Sequence, residues 1–274
     1  MMTMFRSSLI VFLILCSFIS KASIILIPMD QVQKNHLKSY GIAFWSLQNE
    51  QTVDWLLNYR GGSFAIDYRK EIEEELIIRG VSYEVIADAQ YRLIQQEMSN
   101  PEVNQDVVKL EKAPTVAVYS PKNKQPWDDA VTLVLTYAEI PYEVVYDEEI
   151  IRGDLPKYDW LHLHHEDFTG QYGKFWASNK NRVWYQENVR VNKAMASKLG
   201  FEKVSDLKLA VAKKIKEFVA GGGFMFAMCA ATDSYDIALA AEEVDIAESM
   251  FDGDPAHPDA QSKLNYMNGF AFKD

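Results

Sequence analysis

The first residue able to do chemistry is Cys229, in "GGGFMFAMCAATDS", with Ala227 two positions before it and Ala231 two after. At a sharp strand-to-helix turn the central residue is strained and the side chains two positions away must be small, a rule both alanines satisfy. In that setting the Ala230 N–H and the start of the following helix would favour a thiolate and hold an oxyanion. The competing reading is a buried thiol closing a core strand, since free cysteine is among the most buried residue types.

A second group lies in "DWLHLHHEDF", which holds three of the chain's five histidines. On a strand His162 and His164 share one face, while Leu161, Leu163 and His165 share the other. His165, Glu166 and Asp167 then fall at the carboxyl end, the ligand-binding edge of a parallel sheet. His165 or Glu166 would serve as general base or orienting group for Cys229, with His164 and Asp167 as ligand contacts. A metal site completed by Asp128 and Asp129 is the weaker reading: no spacing matches a zinc signature, and neither metal nor cofactor is expected. Histidines that simply satisfy hydrogen bonds in a core or at a surface are the third.

Two further segments bear on ligands. Tyr172, Phe175, Trp176 and Trp184 alternate with Gly170, Gly173 and Asn179 in a polar stretch, as in a lid that stacks on sugar rings or a peptide. The plainer alternative is an aromatic cluster packing a long insertion. In "NYRGGSF" Arg60 is placed to bind an anion, beside a Gly61-Gly62 pair that first of all makes a turn.

The elements that must position these residues follow from the spacing of apolar runs. Residues 23–29, 52–59 and 81–86 read as strands, and 31–47, 68–80 and 88–98 as helices, so three β–α pairs predict parallel strands with helical crossovers. "SNPEVNQDVVKLEKAP" breaks the alternation and marks a boundary between a smaller lobe, 23–112, and a second domain, 113–274. There strands are expected at 115–120, 142–147, 159–165 and 223–228, with helices at about 127–139, at 206–220 and from near Asp233. The expected fold class is α/β: a doubly wound, flavodoxin-like parallel sheet preceded by a smaller α/β lobe. Gly221-Gly222-Gly223 follow a lysine-rich helix and precede a strand, the order of a helix C-cap and the reverse of a phosphate loop.

The N-terminus, with Arg6 ahead of an apolar run over Leu9–Ile19 and Ser20-Lys21-Ala22 behind it, reads as a cleaved export signal, 1–22. That run is well short of the roughly 20 residues a bilayer span needs. Cleavage after Ala22 takes Arg6 and Lys21 but no acid, moving the formal charge from −11 to −13. Such a chain repels phosphate backbones and anionic headgroups, which excludes nucleic acid and peripheral membrane as expected partners and leaves a small molecule, glycan or peptide. Cys229 alone remains, so no internal disulfide is available and the core must supply stability.

Over residues 113–250 the chain resembles the class I glutamine amidotransferase-like superfamily, with Ala227-Met228-Cys229-Ala230-Ala231 where that family has Gly-x-Cys-x-Gly. It lacks the family's downstream His-x-Glu. Segments such as "VDWLLNYRGGSF", "PWDDAVTLVLTYAEIPYEVVYDEEI" and "AGGGFMFAMCAATDSYDIALAAE" resemble exported proteins of Bacteroidota commonly labelled asparagine synthetase B. Those run on beyond this length, so the resemblance implies a chain truncated at its C-terminus, with any downstream catalytic histidine missing.

The first functional expectation is therefore an exported, periplasmic or envelope-associated, cysteine-dependent amidase or hydrolase. Cys229 is its nucleophile, with Ala230 N–H in the oxyanion hole and His165 or Glu166 as base. The second is a non-catalytic envelope protein that binds carbohydrate or another small ligand. Asparagine synthesis, the third, has only the label behind it. Met2 stands where those enzymes carry a cysteine, and Ala230 and Ala231 replace the glycines of their pyrophosphate loop.

Overall fold

The computed structural model describes residues 23–121 and 130–271. The expected export signal and the pair Asp128 and Asp129 lie outside the described residues. The chain divides into two compact units, one running to Ala113 with Tyr137–Ile140 added, the other holding Pro114–Thr136 and Pro141 onward.

The first unit is built on a five-stranded sheet. Its strands are β1 (Ser23–Ile27), β2 (Val53–Leu57), β3 (Ser63–Asp67), β4 (Glu84–Ala87) and β5 (Asp106–Leu110), in the order β4-β1-β3-β2-β5. Every neighbouring pair is antiparallel. This corrects the parallel sheet expected from three β–α pairs. The cause is β3, a five-residue strand directly behind two glycines. The chain turns back after β2 through Asn58, Arg60, Gly61 and Gly62, all at positive φ, and β3 inserts between β1 and β2. Gly61 is required here, because a Cβ would sit 2.5 Å from the Met29 carbonyl oxygen.

Alternation along the strands feeds two cores. Ile25, Ile27, Val53, Phe64 and Ile66 pack with Ile42 and Leu47 of α1 (His36–Gln48) and with Ile72 and Leu76 of α2 (Lys70–Arg79). Ile24, Leu26, Leu56, Ala65 and Ile86 meet Tyr91, Ile94 and Met98 of α3 (Asp88–Met98). Each fully buried aliphatic side chain contributes about 1.5–3 kcal/mol of transfer free energy.

The second unit carries β6 (Val116–Tyr119), β7 (Glu143–Val145), β8 (Trp160–Leu163) and β9 (Phe224–Ala227) in the order β7-β6-β8-β9, all parallel. The four strands anticipated from sequence are thus parallel neighbours with their carboxyl ends on one edge. The helices that follow them are α4 (Ala130–Ala138), α5 (Asp147–Arg152), α6 (Trp176–Asn179), α7 (Val183–Lys198), α8 (Val204–Ala220) and α9 (Ala230–Ala240), with short turns at α10 (Ser249–Asp252) and α11 (Ala260–Lys263). Ala117, Tyr119, Val145, Leu161 and Leu163 share one core with Leu207, Val211 and Ile215 of α8 and Tyr235 and Leu239 of α9. On the opposite face His162 stacks on Phe226, ring centroids 5.7 Å apart.

The triple glycine ends α8. The Gly222 and Gly223 N–H groups donate to the Val219 and Phe218 carbonyls, and Gly222 takes φ 101° before β9 begins. From β6 the chain steps to β7 on one side and then to β8 on the other, so the strand order reverses between β6 and β8. A crevice is expected at the carboxyl end of such a reversal.

Candidate functional site

A cavity of about 370 Å³ opens at that place. Pro121 behind β6 and His164, His165, Glu166 and Asp167 behind β8 contribute to it. Cys229 and Ala230 enter from the turn after β9. Tyr172, Phe175, Val204 and Lys208 complete much of the wall.

Cys229 is exposed and has φ 55°, ψ −139°. A non-glycine residue in that region carries strain of order 1–3 kcal/mol, and surrounding bonds must hold it there. Two of them are visible. Met228 N–H donates to the Leu163 carbonyl at 3.1 Å and Ala231 N–H to the His164 carbonyl at 3.1 Å, tying both sides of the turn to the end of β8. Ala231 is fully buried beneath the turn. Cys229 caps α9, which begins at Ala230 rather than near Asp233 as anticipated. In this first helical turn the Ala230 N–H has no intrahelical acceptor, and Ala230 lines the cavity together with Cys229. Of the two sequence readings for Cys229, an exposed residue on a strained strand-to-helix turn describes it; a buried core thiol does not.

The residues after β8 are held by their own backbone. Glu166 is buried, its Oε2 accepts the His164 N–H at 3.0 Å, and its carbonyl accepts the Ser234 hydroxyl of α9 at 2.9 Å. The Nδ1 atoms of His164 and His165 lie 3.2 Å apart. Asp167 Oδ1 accepts from the Thr169 N–H at 3.0 Å and hydroxyl at 2.6 Å, turning the chain away from the sheet. Gly170, at φ 78°, then lets the loop reach the start of α8, where a Cβ would lie 2.9 Å from the Ser205 Cα.

The floor was not read from the sequence. Lys208 is buried on α8, its Nζ 2.8 Å from both oxygens of Asp147, 2.9 Å from the Tyr119 hydroxyl and 3.1 Å from the Tyr146 hydroxyl. The Tyr119 hydroxyl also donates to Asp147, and that of Tyr146 to Asn192 Oδ1 at 3.3 Å. Burial alone would lower the ammonium's pKa, but the charge of Asp147 and the surrounding hydrogen bonds outweigh it and hold Lys208 above its ordinary range. Burial pushes the Tyr146 phenol up to about 12, against the pull of Lys208. Signals were present. Lys208 occupies the apolar stripe of Val204, Leu207, Val211, Ala212 and Ile215, a position a lysine takes only when paired, and Tyr146-Asp147 directly follow β7.

Of the residues singled out from sequence, Cys229, Ala230, His164, His165, Glu166, Asp167 and Tyr172 come together in this cavity. Trp176 does not line it. It sits partly buried against the core with the Lys180 ammonium 4.1 Å from its ring centroid. Tyr172, Tyr185, Trp184 and Phe175 contact one another edge to face, so of the anticipated aromatic lid Tyr172 and Phe175 line the cavity while Trp176 and Trp184 do not. Arg60 belongs to the other unit, where Asp30 and Glu84 each hold its guanidinium at 2.8 Å. Asp128 lies outside the described residues. No helix among the described residues is long and apolar enough to cross a membrane. No protein-family model matches the chain, and neither curated proteins nor solved structures match it.

Proposed function

We propose that the protein is a cysteine-dependent amidase or related acyl hydrolase, exported after loss of residues 1–22. The single observation behind this reading is the backbone of Cys229. An exposed thiol on a strained turn, at a helix start and in a cavity with His164, His165 and Glu166, is the arrangement a nucleophile requires. A flavodoxin-like, glutamine-amidotransferase-like second unit is part of the same proposal, supported by the strand order β7-β6-β8-β9 and the turn after β9.

In the proposed reaction the sulfur attacks the amide carbonyl and its proton passes to His165 or Glu166. The developing oxyanion meets the Ala230 N–H. The C–N bond breaks as the nitrogen takes that proton and leaves as ammonia or an amine, giving an acyl thioester. Water then adds to the thioester, releasing the acid and restoring the thiol.

A non-catalytic ligand-binding role is the second reading, favoured by the aromatic and aliphatic share of the cavity wall, Tyr146, Tyr172, Phe175 and Val204. Labelling of the folded chain with iodoacetamide and with an acyl-transferring amide probe separates the two. A nucleophile is alkylated and acylated at Cys229 before denaturant is added, and Cys229→Ser abolishes amide turnover. A thiol that alkylates slowly and never acylates leaves only the binding reading.

A further inference from the structure

The charges around Cys229 bear on which amides the cavity accepts. Among the described residues Lys208 is the only lysine or arginine lining it. Its three ammonium protons already face four acceptors on Asp147, Tyr119 and Tyr146. An incoming carboxylate would have to displace Asp147, which is fully buried. The other charged side chains of the lining are acidic, Glu166 and Asp167. Asp167 uses Oδ1 on Thr169, while its Oδ2 is buried without a hydrogen-bond partner among the described residues. Apolar walls strengthen the field of such groups, repelling an added anion and attracting a cation.

Resting on Cys229 as the nucleophile, we propose that the cavity takes amides whose acyl group is neutral or bears an amine, and discriminates against acyl groups that carry a carboxylate. Asp167 is the specificity-determining charge.

Three probes of equal length test this: butylammonium, butyramide and butyrate, titrated by ligand-observed NMR against the full chain and its Cys229→Ser variant at pH 8 and fixed ionic strength. Butyrate should bind about tenfold more weakly than butyramide, and butylammonium at least as tightly as butyramide. Asp167→Asn should weaken butylammonium about fivefold relative to butyramide. Glu166→Gln, scored the same way, should also narrow the preference and covers the case in which Asp167→Asn does not fold. Butyrate binding as well as butyramide overturns the proposal. So does the absence of binding by all three, or an ammonium preference that neither variant reduces. Because the probes do not react, a charge preference retained in Cys229→Ser alongside a wild-type thiol that never acylates sinks the nucleophile and spares the selectivity. Turnover of carboxylate-bearing amides does the reverse.

Discussion

The two units solve the same packing problem with opposite strand polarity. In the antiparallel unit, carboxyl ends of neighbouring strands alternate between the two edges, so loops from adjacent strands do not gather. Residues at positive φ there, such as Asn58 and Arg60, serve turns. In the parallel unit every carboxyl end meets one edge, and Tyr172 and Cys229, its non-glycine positive-φ residues on the cavity wall, stand there with the buried Lys208–Asp147 pair beneath. Polarity of the sheet decides where a fold can concentrate strain and charge. The antiparallel unit holds two cores and a half-buried, ion-paired Arg60; the parallel unit gives part of its interior to a cavity.

Hydrogen exchange read by mass spectrometry on peptides from each unit can break that contrast. The largest effect is expected from Lys208→Met, which leaves Asp147 charged and buried and should cost the parallel unit about 3–5 kcal/mol. Equal loss of protection in β1–β5 would mean the pair is no local feature of the parallel unit. Ile42→Ala should cost about 2–4 kcal/mol in the antiparallel unit, because Ile42 is fully buried between α1 and the sheet. Gly170→Ala comes next, at about 1–3 kcal/mol, since it adds strain at φ 78° and a contact with the backbone of Ser205. Slower acylation of Cys229 in that variant would show that the loop after β8 shapes the cavity.

The smallest effect is the alkaline limb. Tyr146 is pushed up to about 12, and Tyr119 and Lys208 are also raised. Above about pH 10 the unfolded chain releases these protons before the folded one does. The folded state therefore binds more protons there, and stability should fall as pH climbs from about 10 to 12. Below that range these three groups should contribute no slope. Tyr146→Phe should flatten the limb, and an unchanged limb would remove Tyr146 from the network's titration.

Much of this was legible in the sequence. Short apolar runs marked seven of the nine described strands, while β5 fell inside the segment read as a boundary; the rule that parallel sheets bind ligands at their carboxyl edge selected His165 to Asp167, and the small residues flanking a strand-to-helix turn selected Cys229. β3 escaped because "SFAID" is a short strand abutting a glycine turn, and one missed strand changed the polarity of a whole sheet. Lys208 escaped because a helix with Lys213, Lys214 and Lys216 hides a buried lysine among solvated ones. Periodicity separates them, since Lys208 alone shares the stripe of Leu207 and Val211. Trp176 misled for the opposite reason: an aromatic in a polar loop has the same composition whether it faces a ligand or the core.

Left to drift, position 229 belongs to glycine. At φ 55°, ψ −139° a residue without a Cβ sheds strain of about 1–2 kcal/mol and loses no packing that an exposed thiol supplies. A lineage that keeps cysteine there keeps it against that gradient. A saturation library at this codon, sorted only for folded protein, should therefore enrich Cys229→Gly, and the same library sorted for amide turnover should purge it.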